Sequence, residues 1–280
     1  MSIEVRGACA SVLLAAALAA GCQPAAEKAN SGAAANANAE TAKTSASPAP
    51  PNPDGTIPSG TGVEKEKPEP GKGNVQGKVF YNGQPAAGID VRLCEKFSRF
   101  VGGCSGETFT AKTDAAGEYL IKGVPPRVYE GLTAKVFNTD YYVFATSGVV
   151  SAAKYKIDEG TTYFAPDTHL FKQDLKLTSP KAGSKVAPEN IELKWDAYPD
   201  AAYYKFGVYA DSSSGAQTNY DYINRRVDGV SFTLDKPLAP GTYTARVEAY
   251  NGNDQKLSQS AGDIKFTVTG EPAKPAEPTK

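Results

Sequence analysis

Short runs in which apolar and polar residues alternate recur between residues 74 and 269, and this pattern constrains the fold more than any other feature. Ile191, Leu193 and Trp195, for example, alternate with charged residues. Gly, Pro, Asn and Asp separate the runs, as is typical of turns between strands. A period of two residues predicts strands with one buried face, so the sequence predicts an all-β protein.

A short apolar run near the N-terminus leads directly into a cysteine. The run covers residues 8–20, and Leu18-Ala19-Ala20-Gly21 precedes Cys22. About thirteen helical residues span roughly 20 Å, which is short of the ~30 Å hydrocarbon core of a bilayer. We therefore interpret residues 1–21 as a signal peptide rather than as a permanent membrane span.

The segment around Cys22 resembles a bacterial lipoprotein signal, in which an apolar residue and two small residues precede the cysteine that is lipidated. The resemblance implies that Cys22 is acylated and that lipid tethers the mature chain to a membrane. Ala19 stands where leucine is commonest, so ordinary secretion after an Ala-x-Ala site stays open as an alternative. Gln23 replaces the aspartate that retains some lipoproteins at the inner membrane, and we expect a cell-envelope location at the outer membrane, on its periplasmic or surface face.

Residues 22–73 are rich in Ala, Asn, Ser, Thr, Pro, Glu and Gly, with scarcely a large apolar side chain. Such a segment cannot bury enough surface to offset its conformational entropy, so we predict a disordered linker, and a disordered tail at 270–280. The 30 basic and 31 acidic residues balance, and no dense basic run is present. This charge pattern argues against nucleic acid as a partner.

Two cysteines remain once the signal and the lipidated residue are set aside. Cys94 and Cys104 form an even pair in an exported chain, which predicts a disulfide bond between them. A metal or redox pair fits less well, because the spacing is long and the chain contains 1 histidine. Cys94 has the opposite parity to Leu93, so we expect the disulfide on the outer side of its strand.

Residues 74–178 resemble the carboxypeptidase regulatory-like family, a transthyretin-type β-sandwich. The resemblance is strongest over residues 74–137. It implies a fold and no catalytic residues, because the family motif serves turns. The segments that carry it are Gly77-Lys78-Val79, Asn82-Gly83-Gln84-Pro85, Gly88-Ile89-Asp90-Val91, Thr113-Asp114 with Gly117-Glu118-Tyr119, and Gly123-Val124-Pro125-Pro126.

Residues 179–269 resemble a fibronectin type III domain, an immunoglobulin-like β-sandwich. Trp195 matches the early core tryptophan of that family, and Leu238-Ala239-Pro240-Gly241 with Tyr243 matches the corner before its penultimate strand. No Arg-Gly-Asp triplet is present, so the cell-adhesion function of the family does not carry over. The fold class predicted for the chain is therefore two tandem β-sandwiches.

The sequence offers little for catalysis. His169 fits a half-buried strand position, and Ser151-Ala152-Ala153-Lys154 matches a Ser-x-x-Lys motif without its partner motifs. Asn251-Gly252-Asn253-Asp254 lacks the spaced carboxylates of a calcium site and fits a hairpin turn. We therefore expect no enzymatic activity, no metal and no cofactor.

Lys78 and Asp174 fall on the first and last predicted strands of the first sandwich, where related bacterial surface sandwiches form isopeptide cross-links. Both residues alternate with buried positions, so both should face water. The sequence leaves open whether they are linked.

Five tyrosines are the remaining candidates for ligand binding, because they lie out of phase with the predicted core or in loops. Aromatic faces bind sugar rings and protein partners alike, while the strand preference of tyrosine is the simpler explanation. We therefore predict a lipid-anchored cell-envelope protein that presents two β-sandwiches to a protein or glycan partner for binding or scaffolding. The alternatives are a carbohydrate-binding surface lipoprotein and an accessory subunit of an envelope complex or polymer-processing enzyme. The five are Tyr203, Tyr209, Tyr220, Tyr222 and Tyr250.

Overall fold

The structure is a computed structural model that describes residues 50–98, 103–137, 139–144 and 153–270. The predicted signal peptide, Cys22 and the C-terminal tail from residue 271 lie outside these residues. Within them, regular structure consists of strands and two single-turn 3-10 helices, Ser212–Ser214 and Tyr220–Tyr222. The predicted all-β fold class is confirmed.

The first eleven strands form the first sandwich. One sheet has β1 at its centre, paired with β2, β5, β10 and β11, and a second sheet has the order β4-β3-β7-β8, while β6 pairs with β9. The strands are β1 Gly73–Tyr81, β2 Gln84–Pro85, β3 Asp90–Ser98, β4 Gly103–Lys112, β5 Glu118–Val124, β6 Arg127–Tyr129, β7 Gly131–Lys135, β8 Tyr142–Phe144, β9 Tyr155–Ile157, β10 Thr162–Phe164 and β11 Thr168–Leu170.

The two main sheets of the first sandwich share one hydrophobic core. Val75 and Val79 of β1 pack in the same cluster as Val91 and Leu93 of β3, and all four are buried. Their alternation with polar residues gives each strand one apolar face, and burial of these faces stabilises the sandwich.

The remaining ten strands form the second sandwich. A seven-stranded sheet has the order β12-β20-β19-β16-β17, with β21 pairing β19 and β14 pairing β21, and a three-stranded sheet has the order β13-β15-β18. The strands are β12 Lys172–Leu175, β13 Leu177–Ser179, β14 Lys185–Val186, β15 Glu192–Trp195, β16 Tyr203–Ala210, β17 Arg225–Val227, β18 Ser231–Thr233, β19 Gly241–Tyr250, β20 Lys256–Ser260 and β21 Ile264–Val268.

The core of the second sandwich contains the aromatic residues that carry the fibronectin-like resemblance. Trp195 is buried against Tyr204 and Phe206, with ring centroids 5.5 and 6.4 Å away. Tyr243 is also buried, and its hydroxyl donates a hydrogen bond of 2.9 Å to the carbonyl oxygen of Ala239. A buried tyrosine that bonds back to an upstream carbonyl fixes the corner before its strand, as in immunoglobulin-like sandwiches.

The single strand predicted over residues 168–177 is three strands in the structure. β11 pairs with β1, β12 pairs with β20, and β13 pairs with β15. Leu170 belongs to the first core and Leu175 to the second. The apolar alternation runs on across this point, so the sequence pattern does not show that the chain changes partner sheets.

The second half of the predicted linker packs on the first sandwich. Residues 56–66, which we call the strap, begin with a β-bridge between Thr56 and Lys154. Ile57 is 6% exposed and joins the first core, and its carbonyl oxygen accepts a hydrogen bond of 3.0 Å from the Tyr163 hydroxyl. The prediction of disorder as far as residue 73 is therefore wrong for this part of the chain.

The strap is fixed at its far end by side chains of the sandwich. The amide of Gln76 accepts from the backbone N–H of Lys65 and donates to the carbonyl oxygen of Val63, both at 3.0 Å. The Lys65 ammonium lies 2.7 Å from carboxylate oxygens of Asp114 and Glu118 and lowers the pKa of both groups. Few apolar residues are needed for this attachment, and composition therefore gave no sign of it.

Replacing Ile57 tests the strap. Ile57→Ala should lower the free energy of unfolding by about 2 to 4 kcal/mol, because it removes buried methyl groups and leaves a cavity. Urea denaturation measures the change. Val63→Ala is the matched control, because Val63 is 87% exposed and its loss should change stability by less than about 0.5 kcal/mol. Equal stability of the Ile57→Ala variant and the native chain would show that Ile57 does not attach the strap to the sandwich.

Candidate binding face

The outer surface of the seven-stranded sheet carries three of the five predicted tyrosines. Tyr204, Phe206 and Val208 of β16 point into the core, so the alternate residues of β16 point outward. The register between β16 and β19 places an outward residue of β19 opposite each of them. We call this surface the tyrosine face; it comprises Tyr203, Lys205, Gly207 and Tyr209 of β16, Thr244, Arg246, Glu248 and Tyr250 of β19, and Arg226 of β17.

Tyr203 and Tyr250 lie opposite each other and stack, with ring centroids 5.1 Å apart and an interplanar angle of 2°. The Arg226 guanidinium lies 3.9 Å from the Tyr203 ring centre, and the Lys205 ammonium lies 4.6 Å from that of Tyr250. Tyr203 is 3% exposed, so its prediction as an exposed residue is wrong. Alternation correctly predicted that Tyr203 points away from the core, but it cannot show that the Arg226 side chain covers the ring.

The hydroxyls of this pair are held by carboxylates. Tyr203 donates 2.8 Å to Asp254, and Tyr250 donates 2.6 Å to Glu248. Burial raises the pKa of both phenols, and the hydrogen bonds act in the same direction. The pair is therefore a fixed, neutral part of the sheet surface.

Tyr209 has a different geometry, because its ring lies across Gly207 on the same strand. A Cβ atom at Gly207 would come within 2.6 Å of the Tyr209 hydroxyl and 2.7 Å of its Cε2 atom. Glycine is thus the residue that lets the ring reach the backbone. Tyr209 remains 36% exposed, as predicted for a residue of the outer face.

The charged residues around Tyr209 are mostly paired. Arg246, opposite Gly207, donates from Nε at 3.0 Å and from an Nη atom at 2.8 Å to Asp263, which raises the arginine pKa. The Lys256 ammonium lies 3.0 Å from Glu248. Within the described part of the chain no carboxylate forms an ion pair with Lys205, whose ammonium lies against the Tyr250 ring.

The other two predicted tyrosines do not belong to this face. Tyr222 is fully buried, so its prediction as exposed is wrong; its hydroxyl donates 2.7 Å to Asp235, and burial raises its pKa to about 12. Tyr220 is 83% exposed on the second 3-10 helix. The two residues lie on the same helical turn and point in different directions, so one is exposed and the other is buried. The sequence pattern did not reveal this turn.

A second polar cluster joins the two sandwiches. The Asn82-Gly83 turn follows β1, with φ angles of 49° and 73° that Asn and Gly tolerate. The Asn82 amide donates 3.0 Å to Asp200 and accepts 2.9 Å from the amide of Asn251. Sequence analysis identified this dipeptide as a turn but not as a contact between sandwiches.

Tyr198 adds a second set of contacts to this junction. Its hydroxyl donates 2.8 Å to Asp174 and lies 3.4 Å from the Tyr81 hydroxyl. Ser258 donates 2.7 Å to the same carboxylate. Burial raises the pKa of Tyr198, and the contacts with Tyr81 and Asp174 add to the effect.

The structure places Lys78 and Asp174 in separate networks. The Lys78 ammonium lies 2.7 Å from Glu118, whereas Asp174 belongs to the junction. His169 is exposed and stacks on Phe80 at 5.7 Å, so the expectation of a half-buried imidazole is wrong. Asn251 accepts from the backbone N–H groups of Asn253 and Gln255, which confirms the predicted turn.

Cys94 and Cys104 are joined by the predicted disulfide, with Cα atoms 5.4 Å apart. Cys94 is fully buried, although its parity predicted an outer position. A Cβ atom at Gly131 would lie 3.3 Å from that of Cys94 and 3.1 Å from Phe97, so the Phe97 side chain and β7 crowd this side of the sheet. The outer face is therefore covered here.

No protein-family model and no curated protein matches the chain. Among solved structures it is similar to a variant of the major pilin subunit BcpA of Bacillus cereus (15% identity, 71% of this chain and 70% of that chain, TM-score 0.26). It is also similar to fibronectin(III)-like modules of Clostridium thermocellum CbhA (15%, 69% and 90%, TM-score 0.26) and to the major pilin SpaD of Corynebacterium diphtheriae (11%, 70% and 64%, TM-score 0.26).

In the residues that the structure describes, no helix has the length and apolar character needed to span a membrane. The same residues contain no group of three or more His, Cys, Asp or Glu side chains placed to hold a metal ion.

Removing the disulfide should destabilise the first sandwich. Replacing both Cys94 and Cys104 by Ala opens a loop of about eleven residues and should cost about 2 to 3 kcal/mol of unfolding free energy in the chain-entropy model. Urea denaturation of the double variant, with and without reductant, measures the change. Reductant should shift the native chain toward the variant and leave the variant unaffected. If reductant leaves the unfolding free energy of the native chain unchanged, and if Cys94 and Cys104 both react with a thiol reagent, the disulfide bond is absent.

Changing Asn82 tests the junction. Asn82→Asp replaces the donor to Asp200 by a like charge, and should cost about 1 to 2 kcal/mol at low salt. Asn190→Asp is the matched control, because Asn190 also has a positive φ of 53° but is exposed and outside the junction. Thermal unfolding at low and high salt measures both. Equal effects of the two variants would show that Asn82 does not couple the sandwiches.

Proposed function

We propose that this chain is a lipid-anchored cell-envelope protein that presents two β-sandwiches for binding or scaffolding and has no catalytic role. The first sandwich is proposed to be of the carboxypeptidase regulatory-like type and the second of the fibronectin type III type. Lipid attached to Cys22 anchors the chain in the outer membrane.

The observation that carries the scaffolding role is the junction. The two sandwiches lie in one compact unit of the chain, and polar side chains join the Asn82-Gly83 turn to the second sandwich. The chain also passes from β11 to β12 across Phe171 alone. A connection this short, backed by side-chain contacts, supports presentation of both sandwiches as one body.

The tyrosine face favours a more specific role than scaffolding. A partly exposed tyrosine ring whose hydroxyl end lies over Gly207, with charged side chains on the same face, supports carbohydrate binding over the third possibility, an accessory subunit held by an apolar patch. The binding role and the anchor are separate parts of the proposal, and each can fail alone.

Replacing Cys22 tests the anchor. Native protein should sediment with membranes, and its mass should show a diacylglyceryl group on Cys22. Cys22→Ala should be recovered in the soluble fraction. Cys9→Ala is the matched control, because Cys9 lies within the predicted signal peptide and its loss should leave the mature protein unchanged.

An unlipidated mature N-terminus in the native protein would overturn the anchor and leave a secreted or periplasmic protein. Protease added to whole cells then separates the two faces of the outer membrane. Removal of the sandwiches indicates surface display, and their protection indicates a periplasmic location.

A further inference from the structure

We infer that the tyrosine face binds a polysaccharide that carries carboxylate groups, with one sugar ring stacked on Tyr209. This inference rests on the proposed binding role and names its ligand. The contact between Tyr209 and Gly207 and the charged residues of the same face point to this ligand.

Tyr209 presents a partly exposed ring at a fixed place on the sheet. The hydroxyl end of the ring lies over Gly207, while the residue remains 36% exposed. Glycine inside a strand weakens the strand, and often marks a place where a ligand or another backbone approaches closely. Sugar rings have an apolar C–H face that can stack on an exposed aromatic ring.

The other tyrosines of the face do not offer such a surface. Tyr203 and Tyr250 stack on each other, and Arg226 and Lys205 lie against their rings. The stacked pair therefore lies beside the proposed site and does not itself offer a ring for a sugar to stack on. Tyr209 is the most exposed tyrosine of the tyrosine face.

Polar groups lie next to the Tyr209 ring. Arg246 is directly opposite Gly207, and Thr244 is directly opposite Tyr209. Asp263 accepts two hydrogen bonds from Arg246 and fixes the guanidinium beside the ring. A guanidinium held in place loses little further freedom when it binds a hydroxyl or carboxylate, so the pair suits the rim of a sugar ring.

The charge balance of the face favours an acidic ligand. Arg246 is neutralised by Asp263, and Glu248 by Lys256. Lys205 lies on the same strand face, two residues before Gly207, and no described carboxylate pairs with it. Glu248 lies directly opposite Lys205, but its carboxylate is held by Lys256 and by the Tyr250 hydroxyl. The Lys205 ammonium is therefore available to a carboxylate on a neighbouring sugar.

A protein partner fits the same surface less well. Lys and Glu are depleted at protein interfaces, whereas Lys205 and Glu248 lie on the same face as Tyr209. Binding of an unrelated protein at this face is therefore treated as an outcome that overturns the inference.

Binding of defined oligosaccharides to the full-length protein tests the inference. The probes are oligogalacturonate and oligomannuronate, with maltohexaose as the neutral comparison, and isothermal titration calorimetry measures their dissociation constants. We expect one acidic probe to bind more tightly than maltohexaose. Tyr209→Ala should weaken binding by about tenfold or more, because a stacked ring contributes about 1.4 kcal/mol, while Tyr209→Phe should retain it.

Two further variants separate binding from stability. Gly207→Ala keeps the tyrosine but pushes its ring off the strand, so it should also lose binding. Lys205→Gln should weaken the acidic probe and leave maltohexaose unchanged. Tyr220→Ala is the matched control, because Tyr220 is exposed but outside the face, and it should bind as the native chain does. Thermal unfolding of each variant checks that it is folded.

Three results would overturn the inference. The first is that neither acidic probe binds the native chain. The second is that the Gly207→Ala variant binds the probes as the native chain does. The third is that Tyr209→Ala lowers the melting temperature without changing binding. The last result would mean that Tyr209 only shields Gly207. Each leaves lipidation of Cys22 and the junction unaffected, so failure here is distinct from failure of the proposed function.

Discussion

The twelve residues from Thr168 to Ser179 pair in turn with three different sheets, and the relation between the two sandwiches depends on this crossing. The backbone hydrogen bonds of β11 belong to the first sandwich, and those of β12 and β13 belong to the second. Because the crossing leaves Phe171 as the single residue between β11 and β12, neither sandwich can rotate freely without breaking strand pairs. The polar contacts of Asn82 and Tyr198 then form where the crossing has already placed their partners.

Alternation of apolar and polar residues was enough to predict the direction of most strand residues. It put Tyr203 and Tyr209 out of phase with the buried residues of their strand and Trp195 in the core, and the structure agrees. Direction is a local property of a strand, since successive side chains point to opposite faces whatever the rest of the chain does. For this reason the fold class was predictable and part of the tyrosine face with it.

The solvent exposure of a side chain was less predictable than its direction, because exposure depends on which other residues cover that face of the sheet. Tyr203 lies under Arg226, which comes from a strand more than twenty residues later. Cys94 is crowded by Phe97 and Gly131. Ile57 packs in the first core, although the composition of its segment predicted disorder. In each case the deciding contact is between residues far apart in sequence or beyond a bulge, and no periodic pattern records it. The close approach of the Tyr209 ring to Gly207 had a weak signal, a glycine within an otherwise good strand.

The strap determines where a mechanical load enters the molecule. A pull on the N-terminal part of the chain acts first on the Thr56–Lys154 bridge and on Ile57, and it pulls directly on the N-terminal end of β1 only after these contacts have separated. The ion pairs of Lys65 with Asp114 and Glu118 form a second point of resistance behind the first. In a protein held by its N-terminus against flow, the strap would therefore separate from the sandwich step by step before β1 was pulled at its end.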